Sequence, residues 1–332
     1  MRTHHRSDGR TIGLCVLAAT LTTAAPAQTP TPAVSTTPRV SGYLQPRFQA
    51  VGDSAGVPPG APRATFVLRR ARFALDGNIN PWASYRVQVE MRTLGAPLVP
   101  ASSPLSLSAT DLYIKLSQGG WGATLGQFRV PFSLESLLSS TTLETTERSR
   151  VVNAAKRDIG VQAEWRSPDR VVLQGAVVNG EGPNRGSNPD NRMAYFARAV
   201  FTPVKGLDVG GAFEGYTDST GVDAQAVYRH GRWTGRAEYI REHNRNTDVH
   251  ATGWYALAGY TVVPDRVQIV GRVEQFDPSD KVATDRETGY LVGVQYFIRG
   301  DAFKVVADYE AFREQVVQVK NDRGVVQMQV RW

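Results

Sequence analysis

The sequence predicts an all-β chain, a transmembrane antiparallel β-barrel of about sixteen strands with short turns at one end and longer loops at the other. Three observations carry this. Apolar and polar residues alternate with period two almost throughout. The connections between alternating segments are short and long by turns, the habit of outer-membrane barrels with tight periplasmic turns and longer external loops. After residue 27 there is no run of 18 apolar residues, so a helical membrane span is excluded.

The chain has 332 residues, and its start reads as an export signal. Arg2, His4, His5, Arg6 and Arg10 form a basic head, residues 11–24 an apolar stretch, and Ala25-Pro26-Ala27 a small-x-small cleavage site. Residues 28–38 (QTPTPAVSTTP) are rich in Pro and Thr and read as a flexible lead-in, which leaves 39–332 for the barrel. Three of the 38 Lys and Arg and one of the 31 Asp and Glu lie in the signal, so the remaining chain has an excess of five cations. These are spread rather than clustered, which gives nucleic-acid binding no support. The single cysteine, Cys15, falls within the signal, so disulfide and thiol chemistry are excluded beyond it.

The alternation is clearest in five places. Val40, Gly42, Leu44, Pro46, Phe48 and Ala50 oppose Ser41, Tyr43, Gln45, Arg47 and Gln49. Ala83, Tyr85, Val87, Val89 and Met91 oppose Ser84, Arg86, Gln88, Glu90 and Arg92. The pattern returns over 159–166, 303–311 and 326–332. Short turns are expected near 80–81, 118–120, 168–169, 204–206, 230–231, 264–265 and 300–301. Longer connections are expected near 52–63, 94–107, 131–158, 179–191, 216–222, 243–250, 277–286 and 315–322. Helical spacing is suggested only over 134–143. Strands of about 9 to 12 residues suffice to cross a bilayer when tilted, and closure satisfies every backbone hydrogen bond in lipid. A soluble β-sandwich or β-helix exported to the periplasm would alternate in the same way. Aromatics near strand ends (Trp233, Tyr239, Tyr260, Phe303, Tyr309 and Trp332) favour a membrane girdle instead.

If the apolar faces meet lipid, the other parity lines the lumen. Over the first five strands it carries Arg47, Arg70, Arg72, Arg86, Arg92, Lys115 and Arg129 against Asp76, Glu90 and Asp111, a basic wall. Strands nine to eleven set Asp208, Glu214, Asp223 and Glu238 against Arg229 and Arg236 and are balanced or acidic. A charged strip favours one sign of ion, and guanidinium matches phosphate and carboxylate oxygens. The competing reading is that these arginines pair with lumen acids and only fill the barrel. The longest connection, 131–158, holds Glu135, Glu144 and Glu147 with Arg148, Arg150, Lys156 and Arg157. Loops of this length are usually functional. His230, His243 and His250 lack ligand-like spacing, so no metal site is expected. No nucleophile elbow or phosphate-cradling glycine loop is present.

Several stretches resemble the phosphate-selective porin O and P family in that family's order. They are Gly42-Tyr43-Leu44-Gln45-Pro46-Arg47-Phe48-Gln49, Arg69-Arg70-Ala71-Arg72-Phe73 leading to Asp76-Gly77, Gly126-Gln127-Phe128-Arg129-Val130-Pro131-Phe132 with Glu135, and Glu147-Arg148-Ser149. Then come Arg157-Asp158-Ile159-Gly160-Val161, Asn179-Gly180, Glu238-Tyr239 and Gly253-Trp254-Tyr255. The resemblance implies a sixteen-stranded homotrimer in the bacterial outer membrane, surrounded by lipid and passing small solutes, often anions, by passive diffusion without a cofactor. It also implies that 131–158 folds into the barrel as a constriction loop. The family's phosphate-specific members carry an arginine ladder with clustered lysines at the constriction. Here that segment has one lysine and three glutamates, which fits a general anion preference better than strict phosphate selectivity. Two alternatives remain at this stage, an outer-membrane barrel hydrolase and a plugged structural or adhesive barrel.

Overall fold

A computed structural model describes residues 35–52, 63–93, 105–152, 156–316 and 321–332. The expected signal, most of the lead-in and the side chain of Arg92 lie outside the described residues. Sixteen strands form one closed barrel in which each pairs antiparallel with its sequence neighbours and the first pairs with the last. They are β1 (Arg39–Val51), β2 (Ala64–Asn80), β3 (Ala83–Thr93), β4 (Leu105–Gln118), β5 (Trp121–Arg129), β6 (Arg157–Arg166), β7 (Val171–Val178) and β8 (Ala194–Val204). The ring continues through β9 (Leu207–Gly215), β10 (Ser219–His230), β11 (Trp233–Asn244), β12 (Val249–Val263), β13 (Val267–Asp277), β14 (Glu287–Arg299), β15 (Phe303–Glu314) and β16 (Arg323–Arg331).

One rim is closed by tight turns. The turn after β4 is Gly119-Gly120, with φ of 58° and 85°, left-handed values that favour residues without a Cβ. Among the described residues, the connections at the opposite rim are longer, as at 179–193 and 278–286. Two others at this rim are shorter than the sequence suggests, because Gly215↔Thr220 and Asn244↔Val249 continue the ladders and leave only 216–218 and 245–248 as turns. The one helix among the described residues is α1 (Leu134–Leu137), inside the stretch where helical spacing is suggested.

Alternation sorts the two faces. Tyr43, Gln45, Arg47 and Gln49 are buried inside, whereas Val40 and Phe66 stand on the outer surface. The outer surface is apolar and bears aromatics at both levels. Trp82, Trp121, Trp233, Tyr260 and Trp332 lie towards the tight-turn rim, and Phe66, Tyr195, Phe213, Tyr239 and Tyr309 towards the other. Phe303 is half-buried. The seam is sealed by the chain end, where Trp332 and Gly42 exchange backbone hydrogen bonds of 3.1 and 3.2 Å. A Cβ on Gly42 would lie 2.6 Å from the Trp332 ring and 2.5 Å from the Arg72 carbonyl oxygen, so only glycine fits there.

Candidate functional site: a basic half-lumen beside an inward loop

The described part of the connection between β5 and β6, residues 130–152 and 156, does not extend outward. It turns into the barrel and is held against the inner wall. Ser133, at φ 63°, caps α1 by accepting from Ser136 N. The orphan amides of Leu134 and Glu135 donate to Glu238 of β11 at 2.7 and 3.4 Å. At the other end of α1, Arg129 Nη1 donates to the carbonyls of Ser136, Leu137 and Leu138, and Arg148 donates to those of Glu135 and Leu138. Both ends of this short helix are thus satisfied, as a buried helix requires.

Three guanidiniums grip the far end of the loop. Glu147 accepts from Arg47 (2.6 Å), Arg69 (2.5 Å) and Arg70 (2.7 Å). Burial opposes ionisation of Glu147, yet Arg70, Arg69 and Arg47 together hold its carboxyl well below the usual carboxylate range. Burial and the nearby Arg70 lower Arg148 to about 10, still cationic at neutral pH. That Arg69 and Arg70 both point inward breaks the period of two. The register slips between Gln45 and Pro46, so β2 bulges opposite them and turns two successive side chains to one face.

Other wall groups hold the rest of the loop. Glu144 pairs with Arg236, and Glu135 accepts from Ser149 N (2.8 Å) and lies 3.3 Å from Arg236. Lys156 bridges Glu214 (2.6 Å) and Glu242 (3.0 Å). Lys304 Nζ donates to Leu143 O, Gln329 to Thr141 O, and Thr146 N to Asp308. Arg150 stacks on Phe312 and pairs with Glu287. Phe132, Val151 and Val152 of the loop join Phe196, Ile240, Leu257 and Val270 of the wall in an apolar cluster.

The loop packs mainly along β9–β15, is tied to β1 and β2 through Glu147, and leaves a cavity of about 860 Å³ lined mainly by β1–β8 with the end of β16. Eight cations line it (Arg39, Arg72, Arg86, Lys115, Arg129, Arg166, Arg198 and Arg331), with two carboxylates, Asp76 and Asp111. Buried Glu90 pairs with Arg72, and Glu164 pairs with Arg166 and lies 3.6 Å from Lys115. Counting these two acids as well, cations still outnumber carboxylates twofold. Arg86 pairs with Asp76 at 2.9 Å. Among the described residues, Arg198 hydrogen-bonds neutral oxygens alone, those of Gln174 and Gln225.

Of the residues singled out from sequence, Arg72, Arg86, Lys115 and Arg129 line this cavity. Arg47 and Arg70 face inward but spend their charge on Glu147. Glu135, Glu144 and Glu147 are neutralised within the loop's anchorage rather than standing in the cavity. Arg157 is buried on Asp111 at 2.7 Å. Arg166 and Arg198 share the inner parity of β6 and β8, and carrying the parity argument past the fifth strand finds them. Among the described residues, no three His, Cys, Asp or Glu side chains converge as a metal ion would need.

The profile of the phosphate-selective porin O and P family matches residues 60–225 and 207–332. The chain belongs to that family. Solved structures give the same fold for proteins of very different sequence. The outer membrane channel DcaP of Acinetobacter baumannii superposes with a TM-score of 0.65 at 11% identity, over 89% of this chain and 97% of that one. OmpT of Vibrio cholerae in its trimer form gives 0.62 at 10% over 89% and 99%. A mutant Rh. blastica porin gives 0.62 at 14% over 89% and 100%. Comparison with curated proteins gives no match. Family and fold together make this chain an outer-membrane porin.

Proposed function

We propose that this porin is a passive channel whose narrowest region lies between the inward loop and the β1–β8 wall, and that it favours small anions over cations. The observation that carries the reading is the unequal lining of the cavity, eight cations to two carboxylates. A fixed excess of one sign in a low-dielectric passage concentrates the counter-ion and lowers its barrier. Residues 131–158 are the constriction element, set in position by Glu147 and Glu144. Arg72, Arg86, Lys115 and Arg129 form the selective wall together with Arg166 and Arg198.

The rest of the reading follows from the family and the sequence. Residues 1–27 are removed on export, 28–38 are a lead-in, and the barrel sits in outer-membrane lipid as a homotrimer. No cofactor or catalytic group is assigned. The trimer form of OmpT, a protein of the same fold, supports the oligomeric part.

The deciding experiment is the reversal potential of the purified protein in a planar bilayer under a potassium chloride gradient. A potential on the anion side, reduced in an Arg86→Ala/Arg198→Ala variant, is expected. A value at or beyond zero on the cation side overturns the anion preference, and absence of ohmic conductance points to a plugged barrel.

A further inference from the structure

The wall of the cavity and the loop that faces it differ in chemistry. The wall offers the guanidiniums, while the loop offers no charge, only Leu134, Leu137 and Leu138 with the hydroxyl residues Ser139 and Thr141. Leu137 and Leu138 at the end of α1 are half-exposed and line the cavity together with Phe128 and Tyr113. The same stretch is fixed beside the charged wall, because Arg129 Nη1 donates to the carbonyls of Leu137 (3.0 Å) and Leu138 (2.8 Å). The loop's one lysine, Lys156, is bound by Glu214 and Glu242 and does not line the cavity.

A tetrahedral inorganic anion carries acceptors on every side and is best held where donors surround it. Here the charged donors lie on one side, and an ion such as phosphate would turn part of its hydration shell towards leucine side chains, which cannot replace it. An anion with its charge at one end and a compact apolar body at the other loses nothing on that side and gains by removing apolar surface from water. Its carboxylate can still take paired hydrogen bonds from a guanidinium.

We infer that the preferred solutes are organic carboxylates with a compact apolar body, held by the arginine wall at the charged end and by Leu137 and Leu138 at the other. This rests on the proposed anion-selective channel and narrows its substrate class.

The test measures block of chloride current by three sodium salts, benzoate, acetate and phosphate, added to the purified protein in a planar bilayer. Half-block by benzoate is expected at a concentration about tenfold lower than by acetate, which has the same charge, and below that of phosphate. Leu137→Asn/Leu138→Asn should remove the gap between benzoate and acetate while leaving the chloride-over-potassium preference intact. Because the substitutions lie at the C-terminal end of α1, loop placement is checked by unchanged resistance to limited proteolysis, and Leu138→Ala serves as a second, smaller truncation. Equal block by benzoate and acetate, or stronger block by phosphate, in a channel that still prefers chloride overturns the inference and leaves the anion channel standing. Loss of the chloride preference itself overturns the reading beneath it.

Discussion

Along β9–β15 the inner wall is charged as it is along β2–β8, but its cations Arg236, Arg272 and Lys304 are engaged. Arg272 contacts Glu274 (2.9 Å), Glu310 (3.2 Å) and the carbonyl of Glu147 (3.0 Å). Lys304 is shared among Asp301, Gln295 and Leu143 O, and Arg236 is enclosed by Glu135 and Glu144. Along β2–β8 the same residue types open onto a cavity, with cations in excess and two of them, Arg129 and Arg198, resting on neutral oxygens. The lesson is that the number of lumen charges says little about selectivity. What matters is whether a loop lies over them, because the loop turns one flank into an anchorage and leaves the other as a passage.

The sharpest way to break this division is to release the loop. Glu147→Gln leaves Arg47, Arg69 and Arg70 without their anion. Removing one partner of a buried pair costs about 3–5 kcal/mol, enough to free that end of the loop. Single-channel conductance should rise, and the loop should become a site of limited proteolysis. Unchanged conductance and protection would mean that Glu147 is not what holds it.

A smaller effect separates the two flanks. Arg86→Ala or Arg198→Ala should lower the chloride-over-potassium permeability ratio, each by about fivefold at most for a charge worth about 1 kcal/mol at close range. Arg47→Ala should act mainly on the loop and leave the ratio nearly unchanged. The preference should fade at 1 M salt, where the screening length falls to about 3 Å. If Arg47→Ala and Arg86→Ala change the ratio equally, the division of labour is wrong.

A still smaller effect is expected of pH. The Glu147 carboxyl is depressed below its usual value of 4.5, so its contribution is complete above that pH and is lost only as pH falls through a value well below it. The Glu147 end of the loop should therefore stay anchored and protected from limited proteolysis from pH 7 to pH 4.5, and loosen only in stronger acid. An opening already complete at pH 4.5 would place the clamp on another group. At the bottom of the scale, Lys281→Ala breaks an exposed pair with Asp248 at the long-loop rim and should alter neither thermal stability nor selectivity measurably.

The barrel was legible because the period-two rule acts on every strand and errors at one strand are corrected by its neighbours. The wall residues Arg72, Arg86 and Lys115 follow from that same parity. Arg69 does not, since parity sends it away from Arg70. What brings it inward is the slip beside Pro46, a residue that cannot donate to the ladder. The fate of Glu144 and Glu147 was likewise hidden. Sequence places acids on a long loop, but only the three-dimensional path decides that they reach Arg236 and the Arg47–Arg69–Arg70 group rather than the solute. The apolar lining from Leu137 and Leu138 depends on the same path.

The seam between β1 and β16 has a temporal consequence. Fifteen of the sixteen strand pairings join chain neighbours and can form as local hairpins, which close quickly. The remaining one brings Gly42 to Trp332 and must wait for the whole chain. The loop bonds to both sides of that seam, to Tyr43 and Gln45 of β1 and to Gln329 of β16. It is thus placed to act as an internal template, gathering the first and last strands around itself before the ring shuts. On this view a chain lacking the loop's contacts would be slow to close as well as too wide once closed.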